Sequence, residues 1–267
     1  MPELPEVETI ARGLDKSVAG DVIESVWIGS KPEPLKSPAR EIAKVLEGAR
    51  INKVKRVGKH IVVDLAPSGE WIVHLGMTGQ MLLATPESDL AKHTHLVAKL
   101  SSGRELRFVD PRRFGRLSVH KPENAFAAQG GEPLGVSEEE FIRLFKGRKT
   151  PMKSALLNQK LLSGVGNIYA DESLFRAGIR PRRRANTVTR DHLRKLYKAM
   201  RVVLEEAIKA GGSSVSDYVD ADGEEGFFQL QHRVYMRTGE PCFTCKTPIK
   251  RVVIAGRSSH YCPHCQK

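Results

Sequence analysis

Hydrophobic positions along this 267-residue chain follow a helical rhythm at the start, lose it, and recover it in the second half. Val7, Ile10, Ala11, Leu14 and Val18 recur at steps of three and four, which predicts an amphipathic helix over residues 4–18, ended by Gly20. The segments 22–28, 51–57, 60–65, 71–76, 80–84, 95–100, 105–109 and 116–119 are instead short, mostly rich in β-branched residues, and separated by Gly, Pro and Ser. Short strands at such spacing predict a sandwich or barrel. From about Pro133 the helical period returns over 137–146, where Ser137 and Glu140 stand as a capping box. It continues over 152–162 and 168–177, on either side of a glycine turn, SGVGN. The longest helix is expected over 190–210, opened by Thr189 and stopped by Gly211-Gly212. The polar stretch SSVSDYVDADGEEG at 213–226 has little periodicity and predicts a mobile loop of the kind that covers active sites.

Charge narrows the class of partner. The chain has 43 Lys+Arg against 31 Asp+Glu, a net charge of +12. Such a surplus favours a polyanion, with nucleic acid first, although ribosomal, heparin-binding and membrane-surface proteins can be as basic. No apolar run approaches the roughly 20 residues that span a bilayer. The amino end is acidic where a secretion signal would be basic and then apolar, so a cytoplasmic protein is expected.

All four cysteines lie near the carboxyl end, as Cys242-x2-Cys245 and Cys262-x2-Cys265. In a reducing compartment this spacing predicts one tetrahedral zinc site rather than two disulfides. Four protein ligands leave no position for a reacting water, so the metal is expected to be structural.

The amino terminus, MPELPEVETI, admits two readings. Proline early and carboxylates in the first turn suit an ordinary helix start. If Met1 is removed, however, Pro2 becomes a free secondary amine with an ordinary pKa of about 7.7–8.0, partly neutral at pH 7. Its attack on an aldehyde-level carbon gives an iminium with no N–H proton to lose, an electron sink of the Schiff-base kind. Glu3 is then placed to move protons at the sugar or leaving group, and Glu6 to hold the terminus or accept nearby amides.

The segments MPELPEVET, HLGMTGQ (74–80), DPRRFGR (110–116), GVGNIYADE (164–172) and the closing AGRSSHYCPHCQK occur in one order along the chain. Together they resemble the bacterial formamidopyrimidine-DNA glycosylase family, from residue 2 to the last. The resemblance implies a DNA repair enzyme that removes oxidised purines and cuts the backbone by β- and δ-elimination. It implies an N-terminal catalytic β-sandwich domain with a helix at its start (1–132), a helical DNA-binding domain with a helix-two-turn-helix (133–235) and a zinc hairpin (236–267), an α+β fold acting as a monomer. By the same resemblance Pro2 is the nucleophile, Glu3 the acid/base, and Lys59 a strand lysine that grips phosphate. Met77, Arg112 and Phe114 enter the duplex where the damaged nucleotide leaves. Thioether and phenyl groups can fill the void, and a guanidinium can bond the orphaned cytosine. Without the resemblance, Met77 and Phe114 read as core residues.

Asn167 reads as an N-cap at a helix start, and the family pattern adds a contact of its side chain with phosphate. The family pattern makes Arg257 a phosphate clamp that assists δ-elimination, His93 a DNA contact, and Lys153 a weaker contact near strand or lesion. The basic run RPRRRA (180–185) is expected to form a solvated face. Three other readings use the same residues. An endonuclease VIII-like enzyme for oxidised pyrimidines fits less well, because Leu4, Val7 and the Met77, Arg112, Phe114 trio match the purine branch. A non-catalytic zinc-ribbon DNA-binding protein, or a ribosomal-type RNA-binding protein, leaves Pro2, Glu3 and Lys59 without a role.

Overall fold

The computed structural model describes residues 2–67, 69–215 and 218–267. They form two compact units, one running to Ala127 and taking in Ala210–Phe227, the other comprising Ala128–Lys209 and Phe228–Lys267. Most of the stretch expected to be a loop of the helical domain therefore packs with the first unit.

In the first unit, α1 (Leu4–Val18) buries Val7, Ile10, Ala11, Leu14 and Val18, the stripe its sequence predicts. Two four-stranded antiparallel sheets follow. One has the order β1 (Ile23–Ile28), β6 (Thr94–Leu100), β7 (Glu105–Val109), β5 (Gln80–Ala84). The other has the order β2 (Arg50–Val57), β3 (His60–Ala66), β4 (Gly69–His74), β8 (Arg116–His120). Leu96, Ala98, Leu106 and Phe108 of the first sheet and Ile61, Val63, Trp71 and Val73 of the second share one core with the α1 stripe. Asp15 ties α1 to the sheet by accepting the Val54 amide at 2.7 Å. A short helix, α2 (Ala39–Leu46), is not foreshadowed by the pattern; it buries only Ile42 and Leu46, too few positions to reveal a period.

In the second unit, α3 (Glu138–Phe145) begins with the expected capping box, Ser137 Oγ accepting the Glu140 amide at 3.3 Å. Helix α4 (Met152–Leu156) is shorter than the sequence pattern suggests. The chain turns after Leu157 because the Gln159 side-chain amide takes over the backbone there. It donates to the carbonyls of Leu157 and Val165 and accepts the Gly164 amide, all at 2.8–2.9 Å. Helix α5 (Asn167–Ala177) follows and packs on α6 (Arg190–Lys209). The chain ends in an antiparallel hairpin, β9 (Lys250–Ile254) and β10 (Arg257–Tyr261).

Candidate active site and nucleic-acid interface

Glu3 and Glu6 are 3% and 2% exposed, and Pro2, next to Glu3, is buried too. Glu6 reaches in two directions: one carboxylate oxygen accepts the Glu3 amide at 2.9 Å, the other the Ser213 amide at 2.8 Å. The Tyr218 hydroxyl donates to the Gly211 carbonyl at 2.9 Å and lies 3.4 Å from the Glu6 carbonyl; burial, then the Glu6 charge, pushes its pKa up. Gly212 has φ +86°, and a Cβ there would lie 3.0 Å from the Glu6 side chain. The fate of Met1, on which the freedom of the Pro2 nitrogen depends, lies outside the described residues, as do Ser216 and Asp217 of the expected loop. The rest of that loop is held: Leu83 donates to the Ala221 carbonyl, and Gly226 to Ser214 Oγ, each at 2.9 Å.

Lys59 does not lie on a strand. It occupies the two-residue turn Gly58-Lys59 that joins β2 to β3, where Gly58 has φ +61° and Val57 pairs with His60. Cross-strand from His60, at a ring separation of 4.8 Å, lies His74. Burial, followed by the charges of His60, Lys59 and Arg116, brings the His74 pKa down to about 4. Its Nδ1 accepts the Gly76 amide at 3.1 Å, which fixes the neutral ring with its proton on Nε2. Sequence reasoning missed His74, since a lone histidine at a strand end gives no signal.

Met77 and Phe114 are 39% and 49% exposed, against the rule for large apolar side chains, and the Arg112 guanidinium stacks 4.9 Å above the Phe114 ring. The two loops meet closely, since a Cβ on Gly76 would lie 2.5 Å from the Phe114 carbonyl carbon. His93 lies half-buried in the turn before β6, and its carbonyl accepts the Asp110 amide at 2.9 Å.

In the second unit Asn167 is the first residue of α5, and Gly166, not Asn167, is the N-cap. The Asn167 Oδ1 is buried with no hydrogen-bond partner among the described residues. Lys153 corrects the expectation of a DNA contact. Its ammonium is buried, 2.7 Å from Asp171 Oδ1, and donates to the Ser258 carbonyl at 2.6 Å. A cation so enclosed braces the hairpin from within. Arg257, next to that carbonyl, is exposed at the hairpin tip, where Ala255 and Gly256 have φ +46° and +73°, as a two-residue primed turn requires.

In the run at 180–185, Arg180, Arg182 and Arg184 are exposed, as a solvated face should be, while Arg180 also donates to the Gln266 and Pro263 carbonyls and Arg182 to that of Val253. The four cysteine sulfurs lie within 4.8 Å of one another. Tetrahedral zinc at about 2.3 Å from each sulfur needs separations of about 3.8 Å, so the cluster fits one ion. The Thr247 hydroxyl brings the Cys245 thiol down to about 6, while burial pushes the Cys262 and Cys265 thiols up, so their deprotonation falls to the metal itself.

Comparison with known proteins bears on this architecture. Residues 1–117 match the family model of the formamidopyrimidine-DNA glycosylase N-terminal domain, 130–219 that of the H2TH domain, and 239–267 that of a zinc finger found in FPG and IleRS. Matches in this order define a zinc-finger DNA glycosylase. Over the full length of both chains it is 49% identical to formamidopyrimidine-DNA glycosylase of Solibacter usitatus (strain Ellin6076) and 44% to that of Desulfitobacterium hafniense (strain DSM 10664 / DCB-2). The chain belongs to the formamidopyrimidine-DNA glycosylase family. Among solved structures, the Lactococcus lactis Fpg complexed with abasic-site DNA superposes with a TM-score of 0.91 at 33% identity, covering 99% of each chain. The MutM (Fpg) protein from Thermus thermophilus gives 0.88 at 42% identity, covering 99% of this chain and 98% of that one.

Proposed function

We propose that this protein is the base-excision-repair enzyme that removes 8-oxoguanine and formamidopyrimidines from duplex DNA and nicks the strand by β,δ-elimination. The observation that carries the chemistry is Glu6, which joins the Glu3 amide to the Ser213 amide close beside Pro2. With Met1 removed, the Pro2 lone pair bonds to C1′ of an extruded nucleotide as the N-glycosidic bond breaks and the base leaves with the bonding electrons and a proton. Glu3 moves protons at the sugar, opening its ring to the iminium. Loss of the C2′ proton expels the 3′ phosphate, and a second elimination expels the 5′ phosphate. Lys59 and Arg257 are the cations proposed to hold those phosphates, with Asn167 and His93 as further contacts and Met77, Arg112 and Phe114 as the wedge in the duplex. The zinc ion, on this reading, shapes the hairpin that carries Arg257 and takes no part in bond making. A monomer working in the cytoplasm belongs to the same proposal.

Borohydride trapping on duplex DNA with one 8-oxoguanine opposite cytosine tests this. The expected result is a covalent adduct whose sugar maps to Pro2 by mass spectrometry and is lost in Pro2→Gly. Excision without an adduct, or an adduct at another residue, rejects the mechanism. Preference for an oxidised pyrimidine over 8-oxoguanine rejects the substrate.

A further inference from the structure

Asp110 opens the segment DPRRFGR, and the proposed function gives it no task. It is completely buried, yet every polar atom it has is bonded. One carboxylate oxygen accepts the Thr78 hydroxyl at 2.6 Å and the Arg112 amide at 3.2 Å; the other accepts the Gly115 amide at 2.7 Å. Its backbone amide donates to the His93 carbonyl at 2.9 Å, and its own carbonyl accepts from the buried His95 ring at 2.9 Å. Thr78 is the neighbour of Met77 and Gly115 the neighbour of Phe114. The carboxylate therefore lies under all three wedge residues and reaches each through its own amide or an adjacent residue. Little room exists for another arrangement, because a Cβ on Gly115 would lie 3.0 Å from Asp110 Oδ2 and 2.5 Å from the Phe108 ring.

We infer that Asp110 is a positioning residue that locks the Met77 loop and the Arg112–Phe114 loop into one rigid wedge, so that insertion into the duplex and extrusion of the damaged nucleotide occur together. It touches no reacting atom. The physical basis is preorganisation. A wedge made of two independent loops must lose conformational freedom as it enters the base stack, whereas one already tied through a buried acceptor does not. Removal of the carboxylate also leaves buried donors without partners, which loosens both loops together.

This inference rests on the proposed function, and the assay separates the two. The variants are Asp110→Ala, Thr78→Val and Thr78→Ser. Wedge insertion is read from a 2-aminopurine placed beside 8-oxoguanine in a duplex, whose fluorescence rises when its stack is broken. Excision is read on the same duplex, and strand nicking on a duplex with a preformed abasic site, which has no base to unstack. Asp110→Ala is expected to slow insertion and 8-oxoguanine excision together by about ten- to a hundredfold. Nicking at the abasic site should fall much less. Thr78→Val should follow in the same direction, and Thr78→Ser, which keeps the hydroxyl, should restore both rates. Should Asp110→Ala not fold, the two Thr78 variants decide. Wild-type insertion in folded Asp110→Ala or Thr78→Val overturns the inference, as does an equal loss on both substrates. A wild-type protein that fails to excise 8-oxoguanine overturns the proposed function instead.

Discussion

Glu6→Gln separates holding from proton transfer at the amino terminus. The wild-type carboxylate is 2% exposed and accepts two amides from segments more than two hundred residues apart in sequence, Glu3 at 2.9 Å and Ser213 at 2.8 Å. Glutamine keeps the shape but has a single acceptor oxygen, and whichever way the amide turns its NH2 meets an N–H donor. One charge-assisted bond is lost, worth about 1.5–3 kcal/mol, and a buried donor goes unsatisfied. The expected cost is about 2–4 kcal/mol of stability in the first unit. It should be visible as a lower urea midpoint and as faster hydrogen exchange at the Glu3 and Ser213 amides. Borohydride trapping should fall in parallel, while the pH dependence of the surviving activity keeps its wild-type form. A Gln variant with wild-type stability and exchange, but with one limb of the pH profile gone, would refute holding and make Glu6 a proton carrier.

Acid should destabilise the fold through His74. Its folded pKa is about 4, below the ordinary 6.5, so the unfolded chain takes up a proton that the folded chain refuses. The contribution is complete above about 6.5 and is lost as pH falls toward 4, by at most about 3 kcal/mol. His232, likewise brought to about 4 by burial and then by His260, adds to the same window. His74→Asn, which keeps an acceptor for the Gly76 amide, should flatten the difference in urea midpoint between pH 7 and 4.5, and an unchanged difference would reject the assignment. Chelation of the metal should release the β9–β10 hairpin and weaken DNA binding far more than it slows trapping on saturating DNA. The reverse ranking would make the zinc catalytic.

Elements whose signal is local are legible in the sequence. The strand at 105–109 coincides with β7, because the ELRFV run is bounded by a glycine turn on one side and Asp110-Pro111 on the other. The pattern overextends helix α4 because Leu161 and Leu162 continue its apolar period from within a turn, and the turn is built by Gln159 side-chain bonds that no periodicity reveals. Lys153 misleads for a related reason. Its partners are Asp171 on the next helix and the carbonyl of Ser258, 105 residues away, and a lysine reads as a surface residue until its carboxylate is known. Met77 and Phe114 run the other way. Composition argues for the core, and only the motif argues for the surface they occupy.

The residues hardest to read share a physical role. Glu6, Asp110, Asp171 and Glu172 are all buried, and each accepts backbone amides, Asp110 from its own loop and the others from segments distant in sequence. Glu172 takes the amides of Arg233, Val234 and Tyr235, each at 2.9 Å; burial raises its pKa and those three bonds oppose the rise. Irregular backbone leaves donors that no regular ladder pairs, and a hydroxyl, though it has two lone pairs, must also place its own proton. A carboxylate has two oxygens and about four lone pairs, so one side chain can bind donors from both sides of a junction. In a chain of net charge +12 this sorts the charges by task. Cations such as Arg112 and Arg257 are exposed, where the proposed function needs them for an anionic partner, while buried anions fix the loops that carry them. An amide in place of any of these acids is therefore not a neutral exchange, because it turns one acceptor into a donor at a place where backbone donors point inward.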